Sequence, residues 1–185
     1  ILSGLVGSEM CIRDRRGRRL VGSKAIYPGT FDPMTNGHID IVVRASRIFD
    51  KVIVAVAHST SKNTVFTTDE RVDLGRQVLA DYPNVEVHRF GGLLANFVRE
   101  MDANAVLRGL RAVSDFEYEF QLAGMNKHLV PEADTIFMPT SENYAYVSSS
   151  LIREISMLGG DVSQFVHPLV LAALTERMAA RAAQK

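Results

Sequence analysis

Residues 51–57 read KVIVAVA, with no polar side chain after the first. An apolar, β-branched run of that length fits a strand buried on both faces. Burial on two faces requires helices above and below the sheet, and the neighbouring sequence offers them. Between residues 37 and 49, apolar side chains fall at 39, 42, 43, 45, 48 and 49, a helical stripe that Asn36 is placed to cap. Thr68 is placed to cap a second helix, whose first turn carries Asp69 and Glu70 on the favourable side of the helix dipole. Further helices are expected at 93–101, 114–128 and 148–158, and from Pro168 onward. Short β-rich runs separate them at 25–27, 85–87, 105–107 and 135–138. The alternation predicts an α/β fold: a doubly wound sheet of about five parallel strands with helices on both faces. No internal repeat or long linker divides residues 25–185, which read as a single domain.

Charge separates the first 24 residues from the rest. Arg13, Arg15, Arg16, Arg18, Arg19 and Lys24 against Glu9 and Asp14 give this leader +4, and the whole chain is neutral, so the body carries −4. A mildly acidic body lacks the broad basic face of a nonspecific nucleic-acid binder. The leader has neither helical nor strand periodicity, and its apolar start precedes its arginines, the reverse of a secretory signal. Residues 1–24 are therefore expected to be a non-native or disordered extension; an arginine-rich nucleic-acid-binding arm is the alternative. The one cysteine, Cys11, lies there. The body thus has no thiolate chemistry, no cysteine–zinc site and no disulfide, and a cytoplasmic location is expected. No apolar run reaches the roughly 18–20 residues of a membrane span.

In parallel sheets ligands bind beyond the carboxyl ends of the strands, so residues there matter most. Residues 27–38, YPGTFDPMTNGH, leave the first strand and enter the first helix. Gly29 allows close backbone approach to a ligand, Thr30 adds a hydroxyl, and Gly37 opens a helix N-terminus that favours an anion. His38 stands in that first turn. A tight turn with a structural histidine is the plain alternative. Other polar clusters follow: Ser59-Thr60-Ser61-Lys62, Arg108-Gly109-Leu110-Arg111, Asp115-Phe116-Glu117-Tyr118-Glu119 and Ser148-Ser149-Ser150. Taken alone, Lys62 would be a solvated lysine, Glu119 a solvated charge and the serines a polar cap.

The Thr35-Asn36-Gly37-His38 turn resembles the signature of the nucleotidyltransferase superfamily, and the other clusters fall where bacterial phosphopantetheine adenylyltransferases carry their motifs. The resemblance spans about residues 25–180 and implies a Rossmann-like domain that transfers AMP from ATP to 4′-phosphopantetheine, giving dephospho-coenzyme A and pyrophosphate by in-line attack with no covalent enzyme intermediate. It makes His38 the catalytic residue, stabilising charge on the α-phosphate. It places Thr30, Phe31, His38, Gly109, Leu110, Arg111, Glu119, Tyr144, Ala145, Tyr146, Val147, Ser148, Ser149 and Ser150 at ATP. Thr30, Lys62, Leu94 and Arg108 fall at the acceptor. It also implies a homohexamer, and magnesium arriving bound to ATP rather than in a protein site. His58, His88, His128 and His167 match no catalytic position and read as structural. Competing readings are a sibling enzyme acting on nicotinamide mononucleotide or a cytidylyl acceptor, a nucleotide sensor without turnover, and a nucleic-acid module using the leader. The RGLR and DFEYE stretches favour the pantetheine branch.

Overall fold

The run at the centre of the sequence becomes the centre of a sheet. In the computed structural model, which describes residues 20–58, 64–111 and 113–183, the strands are β1 Leu20–Gly29, β2 Phe49–Ala57, β3 Val85–Phe90, β4 Ala105–Leu110 and β5 Asp134–Pro139. They form one parallel sheet in the order β3-β2-β1-β4-β5. The helices are α1 Asn36–Ala45, α2 Thr68–Val78, α3 Leu94–Glu100, α4 Val113–Leu129, α5 Ser149–Met157 and α6 Pro168–Ala182, with a 3₁₀ turn at Glu142–Tyr144.

Alternating side chains of each strand feed two separate cores. Ala25, Tyr27, Val52, Val54, Val56, Ala105 and Leu107 pack with α1, α2, α5 and α6. Ile26, Ile53, Ala55 and Val106 pack with Ala95, Phe97 and Val98 of α3 and with Leu129 and Val130 at the end of α4. This is the doubly wound arrangement expected from the sequence. Each fully buried Val, Ile or Leu contributes roughly 1.5–3 kcal/mol, so removing either helical layer would expose the strands to water.

Three boundaries differ from expectation. The cap of α1 is Thr35, not Asn36, and the cap of α2 is Thr67, not Thr68. In α2 the Glu70 amide donates to Thr67 Oγ1 at 3.3 Å, while the Thr67 amide donates to Glu70 Oε2 at 2.7 Å, a reciprocal box that satisfies two amides at once. The third difference is in β1, which begins at Leu20 rather than Ala25. The Ser23 amide donates to Asp50 Oδ2 and the Asp50 amide to Ser23 Oγ, both at 3.2 Å. The Lys24 amide donates to Asn104 Oδ1 at 3.1 Å. Residues 20–24 therefore belong to the sheet and not to the leader. Residues 1–19, with Cys11 and the five leader arginines, lie outside the described residues. No helix of the described residues is long and apolar enough to cross a membrane.

Candidate active site

The chain leaves β1 for α1 on one face of the sheet and leaves β4 for α4 on the other. Two adjacent strands whose connections diverge open a crevice at their carboxyl ends. A cleft of about 610 Å³ lies there, walled by the β1–α1 turn, the end of β4, one side of α4 and the start of α5.

His38 is the third residue of α1, and its ring closes the cap. The Thr35 amide donates to His38 Nδ1 at 3.0 Å, and Thr35 Oγ1 lies 3.1 Å from the same nitrogen. A backbone N–H can only donate, so Nδ1 is an acceptor and the neutral ring carries its proton on Nε2. Burial, reinforced by the positive charge of Arg111, pushes the His38 pKa down to about 4. At neutral pH the residue is an uncharged hydrogen-bond donor lining the cleft. The ring is fixed from the side by Phe31, edge-on at 5.1 Å between centroids. Phe31 holds a left-handed backbone, φ 49°, a conformation that costs a non-glycine residue on the order of 1 kcal/mol. It is held there by burial and by an edge contact with Tyr27 at 5.4 Å. A Cβ on Gly29 would stand 2.9 Å from the Phe31 ring, so Gly29 makes room for a side chain rather than for a ligand.

Arg108, the fourth residue of β4, has a firm partner. Its Nε and Nη2 donate to the two carboxylate oxygens of Glu119 in α4 at 2.5 and 2.7 Å, and Nη1 lies 3.4 Å from the Pro28 carbonyl oxygen. The side chains are 21% and 16% exposed. The pair joins the residue expected at the acceptor to one expected at the nucleotide. Beside it, a Cβ on Gly109 would come 2.4 Å from Ile41 Cδ1, so a side chain there would make the end of Ile41 in α1 move.

The three serines divide their hydroxyls. Ser148 caps α5, accepting from the Leu151 amide at 3.1 Å. Ser149 Oγ donates to the Pro33 carbonyl at 2.8 Å, tying α5 to the β1–α1 turn. Ser150 Oγ accepts from Arg153 Nη2 at 3.1 Å. Ser149 spends its O–H within the protein, whereas Ser148 and Ser150 accept through their oxygens and keep their O–H donors, so α5 offers the cleft two hydroxyls beside its first-turn amides.

Residues 26–155 match the family model described as cytidylyltransferase-like. A curated phosphopantetheine adenylyltransferase of Thioalkalivibrio sulfidiphilus is 64% identical over 154 residues, covering 83% of this chain and 97% of its own length. That of Methylobacillus flagellatus is 62% identical over 156 residues, covering 84% of this chain and 98% of its own. The chain belongs to the phosphopantetheine adenylyltransferase family. Among solved structures, the bifunctional NMN adenylyltransferase/ADP ribose pyrophosphatase of Francisella tularensis superposes with a TM-score of 0.66 at 16% identity, covering 85% of this chain and 50% of that one. Plasmodium falciparum nicotinic acid mononucleotide adenylyltransferase gives 0.62 at 14%, covering 83% and 95%. These two share the fold.

Against the residue set expected for a phosphopantetheine adenylyltransferase, the cleft brings together Thr30, Phe31, His38, Arg108, Gly109, Arg111, Glu119, Val147, Ser148, Ser149 and Ser150. Others stand off its wall. Leu110 continues the β4–β5 ladder and its carbonyl accepts from the Thr140 amide at 2.9 Å. Tyr144 packs over Gly37, Ala145 ends the 3₁₀ turn, and exposed Tyr146 meets Phe165 edge-on. Leu94 starts α3 and packs on the opposite core. Lys62, with Ser59, Thr60 and Ser61, lies outside the described residues. His167 caps α6 through the Leu169 amide, His58 sits 3.1 Å from Thr68 Oγ1 and His88 is 3.0 Å from Glu86.

Sequence reasoning missed Asp32 and Arg153, which also line the cleft. Arg153 was legible as one turn beyond Ser150. Asp32 had no local signal, because its partners are the amides of Val65 and Phe66.

Proposed function

We propose that this chain transfers AMP from ATP to 4′-phosphopantetheine, giving dephospho-coenzyme A and pyrophosphate by direct in-line displacement. The reading is carried by one cleft at the β1/β4 divergence that gathers a neutral histidine donor, a placed arginine and a helix N-terminus, in a chain about 60% identical to named phosphopantetheine adenylyltransferases. An oxygen of the acceptor phosphate bonds to the α-phosphorus while the bond to the α–β bridging oxygen breaks. Pyrophosphate leaves with that electron pair. The attacking oxygen is already anionic, so positioning and charge stabilisation do the work. His38 donates its Nε2–H to charge gathering on the α-phosphate. Arg111 and the first turn of α5 hold the remaining phosphates, with Thr30, Phe31, Gly109 and Tyr144 to Ser150 along the nucleotide. Arg108, Thr30, Lys62 and Leu94 take the acceptor, and Glu119 serves as the Arg108 counter-ion and a nucleotide contact.

Magnesium enters as the companion of ATP. Among the described residues no group of three or more His, Cys, Asp or Glu side chains could hold a metal, and the carboxylates of Asp32 and Glu119 are already bonded. A homohexamer belongs to the same proposal. Its support here is the exposed Phe116 and Phe120 of α4, 43% and 62% accessible, with Phe116 edge-on to Phe137 of β5; native mass measurement tests it. A cytoplasmic setting goes with a substrate pair of this kind.

The test is pyrophosphate release from ATP with a panel of acceptors. Release with phosphopantetheine at least a hundredfold faster than with nicotinic acid or nicotinamide mononucleotide is expected. Preference for a mononucleotide would replace this reading with the sibling enzyme, and no release with any acceptor would leave a nucleotide-binding protein.

A further inference from the structure

Two buried charges, one in the cleft wall and one behind it, have no part in the roles above. Arg71 of α2 is 2% exposed and Asp32 of the β1–α1 turn is 1% exposed. Arg71 Nη1 donates to the carbonyls of Thr30 and Ala57, Nε to those of Phe66 and Thr67, and Nη2 to Thr68 Oγ1. Asp32 reaches the other way: Oδ2 accepts from the Val65 amide at 2.9 Å and Oδ1 from the Phe66 amide at 3.0 Å. Each charge thus binds the backbone of the segment that carries the other. Burying an ion costs several kcal/mol unless it is fully bonded, and well-packed apolar residues often stabilise a fold as well or better. What apolar packing does not supply is a fixed distance between two backbones.

We propose that Arg71 and Asp32 are positioning residues for adenylyl transfer. They cross-lock the turn bearing Thr30 and His38 onto Val65, Phe66 and the start of α2, so that the groups this turn brings to the cleft are held where the reaction needs them. The inference rests on the function proposed above.

Arg71→Lys keeps the charge but gathers its donors on one nitrogen, which cannot serve four carbonyls and a hydroxyl. Asp32→Asn keeps the shape and loses one acceptor. Steady-state kinetics with both substrates should show kcat reduced about 10- to 100-fold in each variant with either KM changed less than threefold, the pattern of misplaced groups rather than lost binding. Arg177→Ala is the comparison. Arg177 donates to the Val65 carbonyl at 3.1 Å and lies over the Phe66 ring at 5.3 Å, so its loss loosens the same segment from α6 while leaving Thr30 and Asp32 bonded. Its Tm should fall while kcat stays within twofold. Amide hydrogen exchange at Val65 and Phe66 needs no turnover and should speed at least tenfold in Arg71→Lys. Unchanged kcat or unchanged exchange in Arg71→Lys, or an equal kcat loss in Arg177→Ala, overturns the inference. A wild type silent with phosphopantetheine overturns the function instead, and exchange still decides the cross-lock.

Discussion

His38 is a neutral donor because two contacts from Thr35 fix its tautomer and burial depresses its pKa. Replacing it with Ala should lower kcat about 10²- to 10³-fold, the usual cost of one transition-state donor, while ATP affinity measured by calorimetry moves little. A rise in KM with kcat intact would make it a ground-state binder. The pKa also has a stability consequence. The unfolded histidine titrates near 6.5 and the folded one at about 4, so between those values the unfolded state binds more protons. Stability from this residue is therefore complete above about pH 6.5 and falls as pH drops toward 4, by up to about 3 kcal/mol at 1.4 kcal/mol per tenfold. Chemical denaturation of His38→Asn across pH 4–7 should show a flatter profile than the wild type; parallel profiles would contradict the buried neutral state. The histidine itself was legible from its turn. Its tautomer was legible in principle, since Thr and His three apart have the spacing of a capping box.

Element by element, strands and helices were readable wherever burial wrote a continuous or periodic apolar pattern, as in residues 51–57 and the α1 stripe. The ends were not. Thr35 and Thr67 cap their helices because their own side chains or amides reach a partner three residues on, a matter of one residue that apolar periodicity does not resolve. The start of β1 escaped because Leu20 pairs with Phe49 and Ser23 with Asp50, contacts across sequence that composition cannot reveal. Truncation therefore depends on the cut. Removing residues 1–24 rather than 1–19 deletes the two reciprocal Ser23–Asp50 hydrogen bonds and should lower Tm by about 4–8 °C relative to the shorter cut, at about 1 kcal/mol per bond. Equal melting temperatures would place the leader boundary at Lys24 after all. For α5, Ser148→Asp preserves the cap but sets a carboxylate beside the phosphates. Its Tm should match the wild type while ATP affinity falls at least tenfold; unchanged ATP affinity would mean that α5 does not face the nucleotide.

At the scale of the whole molecule, strand order does the positioning. With β1 and β4 adjacent and their helices on opposite faces, the β1–α1 turn, the β4 end and α5 meet at one cleft, whichever substrates fill it. Most site residues were legible because they lie at strand ends, but the Arg108–Glu119 pair was not, since nothing local announces that a strand-end arginine will meet α4. That pair sharpens the central claim, two phosphate-bearing substrates in separate seats of one cleft. Arg108→Ala removes the acceptor's cation and also leaves the Glu119 carboxylate without its partner, facing an incoming dianion. A charge-assisted contact to phosphate is worth about 1.5–3 kcal/mol, so calorimetric titration of Arg108→Ala with 4′-phosphopantetheine should show affinity weakened ten- to a hundredfold or more, while titration with ATP alone shifts less than threefold. Weakened ATP binding with acceptor affinity intact would invert the two seats and contradict the account.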